Sequence, residues 1–227
     1  MKKIALLTLL CSGVTACTHD QAGKGAPGDI GSTITTLGYQ TVLLPSTAYG
    51  PGALVTTVKG SGFSSPLNLT YLCRPDFAHA PAPILDVAQT RIASQSLDSS
   101  FKLDPASLTR IGLGANLSHI QSVSLKLTNV SVEQLGFDDL EQVRSSLGPV
   151  CKRIIDTFSK DALAYQTKQA IRADVEYSFE LKQGASADVK GAVIKALVAA
   201  FGGSVKTDNG LTASGKGLYY GLILTKV

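Results

Sequence analysis

Two stretches of two-residue alternation constrain this chain more than any other feature. Between Ile171 and Lys182, the residues Ile171, Ala173, Val175, Tyr177, Phe179 and Leu181 alternate with Arg172, Asp174, Glu176, Ser178, Glu180 and Lys182. Successive side chains of a strand point to opposite faces, so this segment has one apolar face and one charged face. The second stretch runs from Ile111 through Leu113, Ala115 and Leu117 to Val123, Leu125 and Leu127, with Gly, Asn, Ser, Lys and Thr between them and a break around His119–Gln121. It predicts one long strand, or two strands meeting at a bulge or turn. His119 sits at the break and is read as a partly buried structural residue. Half-buried strands of this kind belong to a sheet with one solvated face, which is an antiparallel arrangement.

The rest of the sequence fills in around them. Thr41–Leu44, Ala53–Val58 and Leu67–Cys73 are short runs rich in Val, Leu and Thr between Pro and Gly clusters, and they predict strands. Ser99–Leu103 is a further candidate strand, and Pro75, Pro81 and Pro83 mark 75–83 as an irregular loop. Over 137–161 the period changes to that of a helix. Asp138 and Asp139 stand where a helix dipole favours negative charge, Leu140, Val143 and Leu147 recur at helical spacing, and Pro149 opens a second helix after Gly148. Residues 186–201 predict an amphipathic helix with Val189, Val193, Leu197 and Phe201 on one stripe, ended by Gly202–Gly203. Ser204–Lys206 and Leu218–Thr225 predict closing strands around an Asn209–Gly210 turn. The expected fold is α+β: a twisted, largely antiparallel sheet with long amphipathic strands and about three helices.

The N-terminus has a different character. Lys2 and Lys3 precede an apolar run, Ile4–Leu10, that is too short to span a bilayer, and the string Val14-Thr15-Ala16-Cys17 follows. That string resembles the lipobox of bacterial lipoproteins; Cys11 is the weaker candidate because Leu10 before it is too large for this cleavage. The resemblance implies that residues 1–16 are a signal peptide and that Cys17 carries a diacylglycerol and an amide-linked acyl chain such as palmitate. Two or more chains anchor stably where one does not. Thr18, where an Asp would favour inner-membrane retention in enteric bacteria, points to the outer membrane, facing the periplasm. Residues 17–36 hold Gly23, Gly25, Pro27, Gly28 and Gly31 among polar residues and are read as the lipidated Cys and a flexible tether, with a reach of about 25 Å. A single domain is expected over 37–227.

Export decides the remaining cysteines. Cys73 and Cys151 are an even pair, and an oxidising periplasm predicts a disulfide between them, contributing about 4 kcal/mol through the loop it closes. The formal charge of +4 falls by two when Lys2 and Lys3 are removed, too small an excess to argue for nucleic acid. His19, His79 and His119 have no ligand spacing with either Cys, so neither a metal nor a cofactor is expected. Gly210–Lys216 has the glycine and lysine spacing of a phosphate-binding loop, but Gly217 stands where a Ser or Thr would hold magnesium, and Leu218–Leu224 reads as a strand rather than a helix. The carboxylates Asp138, Asp139 and Glu141 are explained by the helix start. Neither a Gly-x-Ser-x-Gly elbow nor a catalytic histidine motif is present.

The order of elements also resembles the pore-forming domain of bacterial gasdermins. The similarity is carried by Leu37-Gly38-Tyr39 running to Leu44-Pro45, the Ser122–Asn129 strand with its acidic helix, the Ala164–Leu181 strand, the helix 186–201 and the closing Leu218-Tyr219-Tyr220-Gly221. That family implies a twisted sheet whose long amphipathic hairpins open into a membrane-spanning barrel. Its bacterial members are cytoplasmic and end in an inhibitory peptide, whereas this chain carries an export signal and stops at Val227. The functional expectation is a non-enzymatic envelope lipoprotein that binds a partner or serves assembly, with the membrane and an envelope protein or lipid as partners. The alternative is a gasdermin-like membrane-perturbing protein.

Overall fold

The computed structural model describes residues 29–58, 66–103, 108–109, 114–201, 204–206 and 211–227. Cys11, Cys17, His19, the signal segment, the tether up to residue 28, Ile111–Leu113, Gly202–Gly203 and Asn209–Gly210 lie outside the described residues. The fold is α+β, with nine strands in one largely antiparallel sheet among the described residues. The strands are β1 (Gln40–Ser46), β2 (Leu54–Thr57), β3 (Leu69–Cys73), β4 (Ile84–Leu85), β5 (Ser100–Lys102), β6 (Ile120–Gln134), β7 (Tyr165–Leu181), β8 (Ser204–Lys206) and β9 (Leu211–Lys226). The helices are α1 (Ile30–Thr36), α2 (Val87–Leu97), α3 (Phe137–Ser145), α4 (Pro149–Lys160) and α5 (Ala187–Phe201).

Three long strands organise the sheet. β7 is central and pairs with β9 from Tyr165 to Phe179. On its other edge it is shared in succession: β2 takes Tyr165 and Gln166, then β6 takes Gln169 to Leu181. At the Tyr165 end the strands run β1–β9–β7–β2–β3, and a parallel bridge between Val42 and Leu67 ties β1 back to the chain entering β3. The Leu43 N–H donates to the Leu67 carbonyl at 2.7 Å and the Leu67 N–H to the Thr41 carbonyl at 2.6 Å. The ring closes on Val42, Val55, Leu67, Leu69, Ala170 and Leu222, all buried. Each of the larger side chains among them contributes about 1.5–3 kcal/mol by leaving water. At the Leu181 end the strands fan out as β5–β6–β7–β9–β8, with β5 and β8 unpaired to each other among the described residues.

The apolar face of this wing carries the largest core. Phe101, Val123, Leu125, Leu127, Ala173, Val175, Tyr177 and Phe179 pack there with Ile34 of α1, Ala93 and Leu97 of α2 and Val193 of α5. The odd positions Val123, Leu125 and Leu127 of β6 and those from Ile171 to Phe179 of β7 therefore face inward. Asn129 breaks the parity of β6 with φ 52°, and the register shifts between Thr128 and Ser131, so the next inward residue is the even-numbered Val132. α1 reaches the sheet because Gly221 of β9 has no side chain; a Cβ there would lie 2.7 Å from Ile34 Cγ2.

Four expectations change. The tether does not extend to residue 36: Asp29 caps α1 through its carboxylate to the Ser32 N–H, and Ile34 is buried, so 29–36 belong to the domain that was expected to begin at Leu37. Among the described residues five helices stand where about three were expected. The described part of the alternation before His119, Gly114–His119, is a 3-10 turn rather than a strand, as the turn-forming Gly114, Asn116 and Ser118 favour. His119 is exposed rather than partly buried, and its carbonyl accepts from the Lys182 N–H.

Candidate functional site

Cys73 ends β3 and Cys151 lies in the first turn of α4, and the two form a disulfide with their Cα atoms 5.9 Å apart. Gly148 leads into α4 and Pro149 takes its first position, where the missing N–H costs nothing. Around the bridge pack Leu54, Leu147, Ile155 and Ala164. α3 is bound to the same end by Gln166 of β7, whose buried amide donates to the Leu140 carbonyl and accepts from Arg144 Nη1 at 2.8 Å. Arg144 also pairs with Glu141. Asp139 closes the start of α3 by accepting from the Gly136 N–H. The acidic residues at 138–141 are thus placed at a helix start, and Asp139 and Glu141 are engaged there.

The solvent face of the sheet carries a polar network where the closed ring meets the wing. Asp174 accepts from the Asn129 side-chain amide at 2.8 Å and from the Gly217 N–H at 2.7 Å, joining bulged positions of β6 and β9 across β7. Asn129 and Gly217 both have positive φ. The Asn129 hydrogen bond, with help from Gly217, Lys216 and Arg172, holds the Asp174 carboxyl below its usual range against the opposing effect of burial. Beside it, Glu133 accepts from Arg172 Nη1 at 3.1 Å and from the Tyr219 hydroxyl at 2.7 Å. Burial, then the Glu133 carboxylate, raise the Tyr219 pKa far enough to keep the phenol a proton donor. Asp174, Glu133 and Arg172 each have a structural partner, so the network fixes the bulges rather than presenting a free acid or base.

Three further places were tempting in the sequence or stand out in the structure. The phosphate-loop lookalike runs into β9, which continues as strand from Leu211 to Lys226, so a helix does not follow Lys216; Gly210 lies outside the described residues. A groove of about 530 Å³ between α3, α4 and Val227 is lined by Glu141, Arg144, Lys152, Asp156 and Ser159. Its cations are already occupied: Arg144 by Gln166 and Glu141, and Lys152 by the Ser145 carbonyl at 2.8 Å. His79 and Asp76 form a pair at 2.7 Å, but both belong to an exposed turn of the 75–83 loop.

The feature that sequence reasoning missed is an apolar ledge. Ile84 and Leu85 form the two-residue edge strand β4, Val87 opens α2 and Phe137 opens α3, and all four are more than half exposed. Lys168 places its ammonium 4.0 Å from the centre of the Phe137 ring. The signal that would have found part of it is Asp86-x-x-Gln89, a helix N-terminal box: the Asp86 carboxylate accepts from the Gln89 N–H and starts α2.

No protein-family model matches the chain, and no curated protein matches it. Among solved structures it is similar to a bacterial gasdermin from Bradyrhizobium tropiciagri, with a TM-score of 0.42 and 14% sequence identity over 86% of this chain and 85% of that one. A likeness of that size describes a similar course of the chain and carries no argument about what the protein does.

Proposed function

We infer that this protein is a lipid-anchored protein of the bacterial cell envelope that works by binding or assembly rather than by turnover. The observation that carries this reading is the Cys73–Cys151 bridge. Structural disulfides persist in oxidising compartments and are rare in the bacterial cytosol. The bridge therefore agrees with the export signal and with Cys17 as the first residue of the mature chain. The engagement of Asp139, Glu141, Glu133 and Asp174 in caps and bulges supports a non-catalytic role. Labelling cells with an alkyne-bearing palmitate tests it: the expected result is label on the wild-type chain and none on Cys17→Ser. An unlabelled wild-type chain, or free Cys73 and Cys151 thiols in protein alkylated before lysis, overturns it. Reproducible hydrolytic turnover by the purified protein would overturn the non-catalytic part.

A second reading is favoured by one specific observation. β6, β7 and β9 contain 15, 17 and 16 residues, whereas a bilayer needs only about 9–11 residues of tilted strand. Strands of that length, with the alternation of Val123–Leu127 in β6 and Ile171–Leu181 in β7, fit a membrane-perturbing, gasdermin-like protein whose hairpins insert. Dye release from liposomes is its test, and intact liposomes across lipid compositions and after limited proteolysis would remove it.

A further inference from the structure

We propose that the ledge formed by Ile84, Leu85, Val87 and Phe137 is a second, non-covalent membrane contact that lays the anchored domain against the lipid surface. The proposal rests on the reading of Cys17 as the lipidated residue. Ile84 is 60%, Leu85 55%, Val87 71% and Phe137 65% exposed. They are neighbours through the backbone: Ile84 pairs with Gln134 and Leu85 with Glu133, β4 runs into α2 through Asp86, and Phe137 lies three residues past Gln134. Large apolar side chains gathered in one exposed place mark an interaction surface, whereas single scattered ones do not.

The occupant follows from where the described chain begins. α1 contacts α2, and Ile34 of α1 packs in the same core as Ala93 and Leu97 of α2. α1 starts at Ile30, and residues 18–28 separate Asp29 from Cys17. A chain of that length has an r.m.s. reach of about 20 Å. α1 and α2 are themselves short, seven and eleven residues, so they span about 10 and 16 Å. The acyl chains therefore hold the ledge within touching distance of the bilayer, at a local concentration that makes a few side chains sufficient. The chemistry of the ledge suits the interfacial zone. Aliphatic tips enter the acyl boundary, the Phe137 ring lies at headgroup depth, and the Lys168 ammonium over it meets lipid phosphate.

The chain contains no tryptophan, so Val87→Trp places a single indole on the ledge. Ser178→Trp supplies a control on the solvent face of β7, nine residues along the strand from the Gln169–Gln134 pair, or about 30 Å away. The full-length lipidated protein, purified from membranes, is reconstituted in phosphatidylethanolamine–phosphatidylglycerol vesicles with dibrominated acyl chains, and its intact mass is recorded. The expected result is at least a twofold loss of Val87→Trp emission with little loss for Ser178→Trp, and a further variant, Leu85→Trp, behaving like Val87→Trp. Acylated protein in which the Val87→Trp and Ser178→Trp variants emit equally and unquenched overturns the ledge and leaves the anchor standing. Unacylated protein that is still quenched in the Val87→Trp variant overturns the anchor and supports the ledge. Unacylated, unquenched protein overturns both. A ledge indole buried in a second copy of the chain, seen as a concentration-dependent blue shift without bromine quenching, also overturns it.

Discussion

The same three strands build two different structures at their two ends. At the Tyr165 end, β7 and β9 belong to a closed ring with β1, β2 and β3, tied by the Val42–Leu67 bridge and braced by the Cys73–Cys151 disulfide. At the Leu181 end they belong to an open wing that lies on α5 and ends in the short edge strands β5 and β8. Alternation marks the wing, whereas in the ring Leu54, Val55 and Thr56 of β2 and Gln166 and Thr167 of β7 are buried in succession, but the end of the alternation does not by itself make the division. What decides is the line of bulges at Asn129, Asp174 and Gly217, where the register of β6 and β9 on β7 shifts, together with the partner on the β7 edge, which changes from β2 to β6. A closed ring satisfies its own edges, while a wing depends on what covers it.

The contrast can be broken first at the bridge. Removing it with Cys73→Ala and Cys151→Ala frees a loop of sequence separation 78, and the expected loss is about 4 kcal/mol in urea unfolding. Amide exchange in β2 and β3 should accelerate more than exchange in 174–180; equal acceleration would mean the two ends are one cooperative unit. Next, Leu125→Ala empties a site on the wing opposite Tyr177. About 3 kcal/mol is expected from lost burial and the cavity left behind, with exchange rising in the wing and the ring retained.

Smaller effects address the junction itself. Gly217 has φ +63°, and a Cβ there would sit 2.8 Å from Arg172 Nη2. Gly217→Ala should cost about 1–2 kcal/mol in thermal or urea melts. The Arg172–Glu133 pair should loosen with it, since Arg172 must give way. The smallest effect is a pH dependence. Because hydrogen bonds depress the folded-state pKa of Asp174, its contribution is fully present above the ordinary aspartate pKa and is lost as pH falls through the lower, folded-state value. Asp174→Asn should therefore flatten the fall in stability below about pH 4. Parallel acid slopes for the two proteins would show that Asp174 does not couple the strands.

The strands could be read at both ends, since Thr41–Leu44, Ala53–Val58 and Leu67–Cys73 fall on β1, β2 and β3, but which faces turn inward was legible only in the wing. Val123, Leu125 and Leu127, and the odd positions from Ile171 to Phe179, are inward because a half-buried strand leaves its period in the sequence. α3, α4 and α5 left theirs as well. In the ring, Leu54, Val55 and Thr56 are buried in succession, so they leave no period. The Val42–Leu67 bridge joins positions that nothing local connects. α2 was missed because Val87–Leu97 is rich in Ser, Thr and Gln and its buried residues are only Ala93 and Leu97. Of the candidate sites, the cysteine pair was legible from the count of cysteines and the expectation of export. The ledge was not, since Ile84, Leu85 and Val87 carry the composition of a core and only the course of the chain puts them outside.

α2 has one further consequence. Between its contacts with β5 and β4, the outer edge of β6 is served by helix side chains: the Val132 N–H donates to Thr90 Oγ1 at 2.8 Å and Ser94 Oγ donates to the Val130 carbonyl at 3.1 Å. Two hydroxyls thus occupy positions that a neighbouring strand's backbone would otherwise fill. Lifting the helix uncovers a donor and an acceptor together on a long strand, which is a template for another chain. Thr90 and Ser94 therefore cover a stretch of the β6 edge that β4 and β5 leave between them.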